Sequence, residues 1–337
     1  MTIKILATIG PASIHKDVIE GMSSVGVSLF RINLSHTKLT DVEKVIQKIQ
    51  SWTNVPICLD SEGAQVRNQN MENDLVYYKK GSTVTIHQDE VIGDCNKISF
   101  SPNSIVQQLR VGDTIRVDFN AVTFKIIKKN TDYLLASVES PGNVGSNKAA
   151  DVDHELDLEA VTYKDKEAFE IGLKYGIKNF ALSFTNKVED VDEVREVIGQ
   201  NTNLISKIES IKGVLNLREI LPAVDQILID RGDLSREVPI EKIPFLQRRI
   251  ISYAKSKNTP VFVATNLLES MITTISPTRA EVNDVASTLL MGADGLVLAA
   301  ETAIGKYPTE SVNMVFSLIE QFKRWTPDTT FNDIIFN

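Results

Sequence analysis

Short apolar runs rich in β-branched residues recur along the chain, and most are followed by a stretch with helical periodicity. Eight such runs stand out: Ile3–Ile9, Val27–Asn33, Val55–Asp60, Phe180–Phe184, Leu204–Glu209, Gln226–Asp230, Val261–Thr265 and Gly295–Leu298. Strand followed by helix is the pattern of a parallel sheet, and eight such units predict an α/β fold of the (β/α)8 TIM-barrel type rather than an open sheet. Between the runs, Val42, Val45, Ile46 and Ile49 fall on one face of a helix whose start is placed at Thr40-Asp41, either of which could cap it. Further helices are predicted over Glu189–Ile198, Glu241–Ala254 and Glu310–Phe322.

The alternation breaks once, after the third run. From about Asn68 to Asp151 the segments STVTIH, DTIRVDF, AVTFKIIKK and DYLLASV follow one another, with Ile115, Val117 and Phe119 alternating with Thr114, Arg116 and Asp118. Period two, with turn residues at Val111-Gly112-Asp113 and Lys129-Asn130-Thr131, predicts a small antiparallel, β-barrel-like domain. The expected organisation is therefore a discontinuous barrel of residues 1–67 and 152–337 carrying an inserted β-rich domain, 68–151. An insert at a strand's C-terminal end lies on the face where such barrels place their sites, so it reads either as a lid or as a decorative insert.

A length of 337 residues agrees with two domains at roughly 150 residues each. Hydrophobic residues at 42% and charged residues at 24% are globular proportions, which excludes disorder and coiled coil. A net charge of −8 offers no general attraction for nucleic acid or anionic membrane, so an anionic ligand would need a local basic pocket. Two cysteines and four histidines supply neither a disulfide framework nor a zinc cluster. With no signal-peptide pattern at the start and no long apolar stretch, a cytoplasmic protein is expected.

Candidate chemistry collects after the runs. Arg31, Asn33, Ser35 and His36 follow the second; Asp60, Ser61 and Arg67 the third; Lys207 and Glu209 the fifth; Arg231, Gly232 and Asp233 the sixth; Thr265 and Asn266 the seventh; Glu301 and Thr302 the eighth. Polar residues at the C-terminal ends of barrel strands converge on one mouth, and burying them is costly unless they are paired or liganded. Lys207 and Glu209 alternate with Ile208 and so share one side of their strand. Glu209 with Asp233 offers two hard oxygen ligands suited to Mg²⁺; the alternative is a structural ion pair of Lys207 with Glu209 or Asp233. Gly232 lets backbone N–H groups approach a carboxylate or phosphate, and Arg31 with Lys207 adds positive charge there. Cys58 reads as a small core hydrophobe rather than a nucleophile, and of the histidines only His36 lies beside the candidate site.

Eight segments, ILATIGPAS (5–13), FRINLSH (30–36), LDSEGAQVR (59–67), ISKIES (205–210), DRGDLSREVP (230–239), VATNLLESM (263–271), SPTRAEVNDVA (276–286) and AAETAIGKYP (299–308), closely resemble pyruvate kinase. The resemblance implies transfer of a phosphoryl group from phosphoenolpyruvate to ADP, giving pyruvate and ATP. It implies that Arg31 binds the phosphoryl group, Lys207 stabilises it in transfer, and Thr265 stands beside the enolate face. Gly232 and Asp233 would cradle the substrate carboxylate, and Glu209 and Asp233 would hold Mg²⁺ or Mn²⁺. Asn33, Ser35, Asp60 and the Ser61 carbonyl match the K⁺ site, and Asn33, His36, Arg67 and Lys148 match nucleotide-binding positions.

Departures from the family pattern carry expectations of their own. The chain stops at Asn337, so the family's C-terminal domain is expected to be absent, and sugar-phosphate control with it; a homodimer through barrel helices and a monomer are both open as assemblies. Gln65 replaces a glutamate associated with K⁺ dependence, and the lid signature reads Gly145-Ser146-Asn147-Lys148-Ala149-Ala150-Asp151, with one lysine lost and an acid gained. Asp230 and Ser235-Arg236 alter the surroundings of the metal-binding loop. Two other readings remain open: a related enzyme using the same pocket on another nucleotide or oxoacid in a specialised pathway, and a non-catalytic ligand-binding homologue.

Overall fold

Eight parallel strands close into a barrel: β1 (Lys4–Ile9), β2 (Leu29–Asn33), β3 (Ile57–Asp60), β4 (Asn179–Leu182), β5 (Asn203–Ile208), β6 (Gln226–Asp230), β7 (Val261–Ala264) and β8 (Gly295–Leu298). The computed structural model describes residues 3–118 and 120–336. Each strand pairs with its chain neighbour, and β8 pairs with β1, Lys4 opposite Gly295 and Ala7 opposite Leu298. All eight runs are thus strands of one sheet. The helix after β2 begins at Leu39, with Lys38 in the N-cap position, so neither Thr40 nor Asp41 caps it; Asp41 sits in the first turn, where it favours the helix dipole. No helix among the described residues is long and apolar enough to cross a membrane.

Period-two alternation sorts every barrel strand into two faces. Ile5, Ala7, Phe30, Ile32, Ile57, Leu59 and their counterparts point outward into the core shared with the helices. Leu6, Leu29, Cys58, Ala181, Ile205, Leu228, Phe262, Ala264 and Val297 point inward and pack with one another in the barrel. Cys58 is one of these packing residues, and burial pushes its thiol pKa up, away from nucleophile chemistry. Gly295 makes room for Phe262 in that interior, since a Cβ on it would lie 2.1 Å from Phe262 Cδ1.

The chain divides into two compact units, Met1–Gly63 with Ala160–Asn337, and Ala64–Glu159. The second starts at Ala64 rather than at residue 68 because strand Val66–Asn68 pairs with Lys97–Ser101 and Ala149–Val152 of the inserted sheet. Seven strands form a second closed barrel there. It is antiparallel except for one pair, Thr83–His87 with Lys97–Ser101, which run parallel. The predicted alternation at Ile115 and Val117 points both into the core of this unit, and Phe119 lies outside the described residues.

One buried carboxylate organises the end of the first half of the large barrel. Asp165 accepts from Thr162 N and Oγ1, closing a capping box on helix Tyr163–Lys174, and also from Glu62 N at 2.7 Å and Gly63 N at 3.2 Å. The same side chain therefore caps a helix and holds the loop that leaves β3. Asp165→Ala removes its half of the capping box and strands three backbone donors, Thr162 N, Glu62 N and Gly63 N, an expected loss of about 2–4 kcal/mol in urea unfolding followed by circular dichroism. A change below about 0.5 kcal/mol would show that water replaces it freely.

Candidate active site

The inward alternation that packs the barrel continues to the strand ends, where it becomes polar. Two residues beyond Leu6 is Thr8; beyond Leu29, Arg31; beyond Cys58, Asp60; beyond Ala181, Ser183; beyond Ile205, Lys207 and then Glu209; beyond Leu228, Asp230. Strand register thus brings side chains far apart in sequence to one end of the barrel.

Asp60 is the hub. Its Oδ2 accepts from Arg31 Nε at 2.5 Å and from Arg31 Nη2, and lies 3.3 Å from Lys207 Nζ, while Oδ1 accepts from Ser183 Oγ. Arg31 Nη1 donates to Thr8 Oγ1 at 2.9 Å. Lys207 Nζ donates to Ser183 Oγ at 2.9 Å and lies 3.0 Å from Glu209 Oε1. Burial alone would lower the pKa of Arg31 and of Lys207, but the surrounding carboxylates together outweigh it, Asp60 foremost, with Asp230 for both and Glu209 for Lys207, so each stays a fixed cation. The ion pair of Lys207 with Glu209 is present; Asp233 instead pairs with Arg236, Nη1 to Oδ1 at 3.0 Å.

Opposite these cations, one oxygen from each of Glu209, Asp230 and Asp233 lies within 4.8 Å of the other two. Glu209 is 1% exposed; its Oε2 accepts from Phe184 N, and its Oε1 has the Lys207 ammonium as its one polar neighbour, at 3.0 Å. Burial and the neighbouring Asp233, Asp230 and Asp60 push its pKa up to about 8 against the opposing pull of Lys207. Arg31, Lys207 and Arg236 face Asp60, Glu209, Asp230 and Asp233, an excess of one negative charge if all are ionised. A divalent cation would offset that excess, and carboxylate oxygens suit Mg²⁺ or Mn²⁺. The donor set fits such an ion.

Thr265 follows β7 with φ of 76°, and Asn266 follows at 55°, a pair of left-handed non-glycine residues. Arg231 holds this backbone, donating from Nη2 to Thr265 O at 2.5 Å while Nη1 pairs with Asp284 at 2.7 Å. Thr265 Oγ1 donates to Asp230 Oδ1 at 2.5 Å. Gly232 packs so closely that an added Cβ would lie 2.8 Å from Thr265 Cγ2. Gly232→Ala is therefore expected to cost about 1–3 kcal/mol and to displace Thr265, lowering kcat more than it raises KM; unchanged kinetics would show that the loop absorbs the methyl group.

The family model for the pyruvate kinase barrel domain matches residues 1–312. The chain belongs to the pyruvate kinase family. A pyruvate kinase of Thermotoga maritima is 35% identical over 330 residues, spanning 95% of this chain and 71% of that protein. One of Thermococcus litoralis is 36% identical over 321 residues, spanning 93% and 68% respectively. One of Geobacillus stearothermophilus is 33% identical over 327 residues, and there the chain spans 56% of the relative's length.

The remaining positions matched to the pyruvate kinase family lie as follows. Asn33 Oδ1 accepts from Ser35 N at 3.0 Å, and the Ser61 carbonyl accepts from Ser183 Oγ at 2.7 Å. His36 is exposed in the turn after β2. In the inserted unit, Arg67 Nε donates to Gln65 Oε1 and Nη1 to Asn147 O, and Lys148 Nζ lies 3.2 Å from Asp118 Oδ2. Sequence reasoning passed over Thr8 and Ser183, gave Arg231 no role, and saw Asp230 only as a neighbour of the metal loop. Their signal was present as inward parity at the strand ends, which marks Thr8, Ser183 and Asp230.

Proposed function

We propose that the chain transfers the phosphoryl group of phosphoenolpyruvate to ADP, forming pyruvate and ATP, with Mg²⁺ or Mn²⁺ bound by Glu209 and Asp233. K⁺ belongs to the same reading through Asn33, Ser35, Asp60 and Ser61. The observation that carries it is the meeting of two fixed cations, Arg31 and Lys207, with a cluster of hard oxygen ligands at one barrel mouth. When bound, the divalent ion would neutralise charge on the substrate's carboxylate and phosphoryl oxygens.

The residues of the chain divide the remaining work. Arg31, held against Asp60 and Thr8, offers guanidinium N–H groups to the phosphoryl oxygens. As an ADP oxygen attacks phosphorus and the bond to the enol oxygen breaks, negative charge spreads over the transferring oxygens. Lys207, held by Asp60 and Ser183, is the cation that meets this charge. The enolate left behind takes a proton at carbon, and Thr265 orients an ordered water for that delivery. Asn33 and His36 at the end of β2 serve the nucleotide.

The test is pyruvate formation from phosphoenolpyruvate and ADP with Mg²⁺, with and without K⁺, followed across a panel of nucleotides. Turnover that needs both ADP and Mg²⁺ is the expected result. Turnover of a 2-oxoacid without nucleotide would point to a related enzyme, and no Mg²⁺-dependent turnover with any phosphoryl donor would overturn the reading.

A further inference from the structure

We propose that Asp230 is a third carboxylate ligand of the divalent cation, so that this chain holds its metal with three protein carboxylates and not with Glu209 and Asp233 alone. The inference rests on the divalent site of the reading above and adds a residue to it.

The three acids are arranged alike. Each has one oxygen fixed by the protein: Glu209 Oε2 by Phe184 N at 2.7 Å, Asp233 Oδ1 by Arg236 Nη1 at 3.0 Å, and Asp230 Oδ1 by Thr265 Oγ1 and by Gly232 N at 3.2 Å. The second oxygens of Asp230 and Asp233 accept no hydrogen bond from the described residues, and that of Glu209 has only the Lys207 ammonium beside it, at 3.0 Å. Carboxylates anchored at one oxygen and open at the other are oriented ligands, because the anchor holds the direction of the free lone pairs.

Charge favours Asp230 in particular. Glu209 lies 3.0 Å from Lys207 Nζ, and Asp233 pairs with Arg236, whereas Asp230 makes no ion pair among the described residues. Its direct partners are a hydroxyl and a backbone amide, which steady a carboxylate but place no cation in contact with it. Glu209 Oε1, on a side chain 1% exposed, has the Lys207 ammonium at 3.0 Å as its one polar neighbour and accepts no hydrogen bond of good geometry, which leaves lone-pair capacity on the side of Asp230 and Asp233. Asp230 also closes the β6 end of the cluster as the N-cap of helix Arg231–Glu237, which sets its Cβ direction.

A third protein oxygen changes what the site does before substrate arrives. An octahedral ion held by two carboxylates keeps about four positions for water and substrate; held by three, it keeps about three. Metal should therefore bind the free chain more tightly, and fewer metal-bound waters should remain to be displaced.

The experiment uses Mn²⁺ and the full chain with neither phosphoenolpyruvate nor nucleotide present. Free Mn²⁺ is counted by electron paramagnetic resonance, and metal-bound water by water-proton relaxation. Asp230→Ala is expected to weaken Mn²⁺ binding by about tenfold or more and to add about one bound water. Asp230→Asn is the second variant: its amide oxygen still accepts from Thr265 and Gly232 while its NH₂ faces the site, so it removes the ligand with the loop held. It should lose affinity and gain water in the same direction. Weakening without added water in Asp230→Asn would make Asp230 a distant charge and overturn the proposal. If both Asp230 variants bind within about twofold of the parent while Glu209→Gln and Asp233→Asn bind weakly, the proposal fails and the divalent site stands. A parent chain that takes up no Mn²⁺ overturns both.

Discussion

Lys207→Met is expected to cut phosphoryl transfer by about 10³-fold or more while phosphoenolpyruvate still binds. The reason lies in how Lys207 is held. Its Nζ donates to Ser183, sits 3.3 Å from Asp60 and 3.0 Å from Glu209, and cannot swing away to solvent. A cation placed this way costs no reorganisation when charge develops on a phosphoryl oxygen, which is the condition under which electrostatic stabilisation is largest. Methionine keeps the length and apolar stem of the side chain, so the packing around Ile205 is retained. Substrate binding is expected to survive through Arg31 and the carboxylate-held metal. The kinetic constants and a calorimetric titration with phosphoenolpyruvate check both halves. Turnover within about tenfold of the parent would remove Lys207 from the transfer step.

Asp60→Ala carries the largest expected loss of stability, about 3–5 kcal/mol, because it leaves two buried cations without their shared counter-charge. Arg31 loses the acceptor of both its Nε and Nη2, and Lys207 keeps Glu209 and Ser183. Arg31 is then free to tilt, so activity should fall together with stability. The family resemblance assigns Asp60 to a K⁺ site, and the two roles separate cleanly in urea unfolding without K⁺. A hub of the cation network loses stability in K⁺-free buffer, whereas a residue serving only K⁺ would show no loss there.

The barrel was legible because its period-two and helical patterns are local. Each β strand buries its own apolar residues whatever the others do, so eight runs followed by helical stretches could be counted in the sequence. The inserted unit was legible only in its longer strands. Short pairings such as Val66–Asn68 and Gly142–Val144 have too few residues to show a period, and the parallel pair formed by Thr83–His87 depends on register alone.

Which residues stand at the candidate site followed the same division. Arg31, Lys207, Glu209 and Asp233 announce themselves as charged residues after apolar runs, a pattern that costs energy unless it serves a site. By itself the sequence determined a closed α/β barrel, through its apolar runs and helical stretches, with charged residues gathered at the strand ends. Their partners were decided by tertiary structure: Asp60 is shared between Arg31 and Lys207, Asp230 reaches Thr265, and Arg231 turns outward to Asp284. Propensity and burial act within a few residues and can be read along the chain. Ion pairs and ligand sets act across space at 3 to 5 Å, and only barrel closure determines which strand ends come that close.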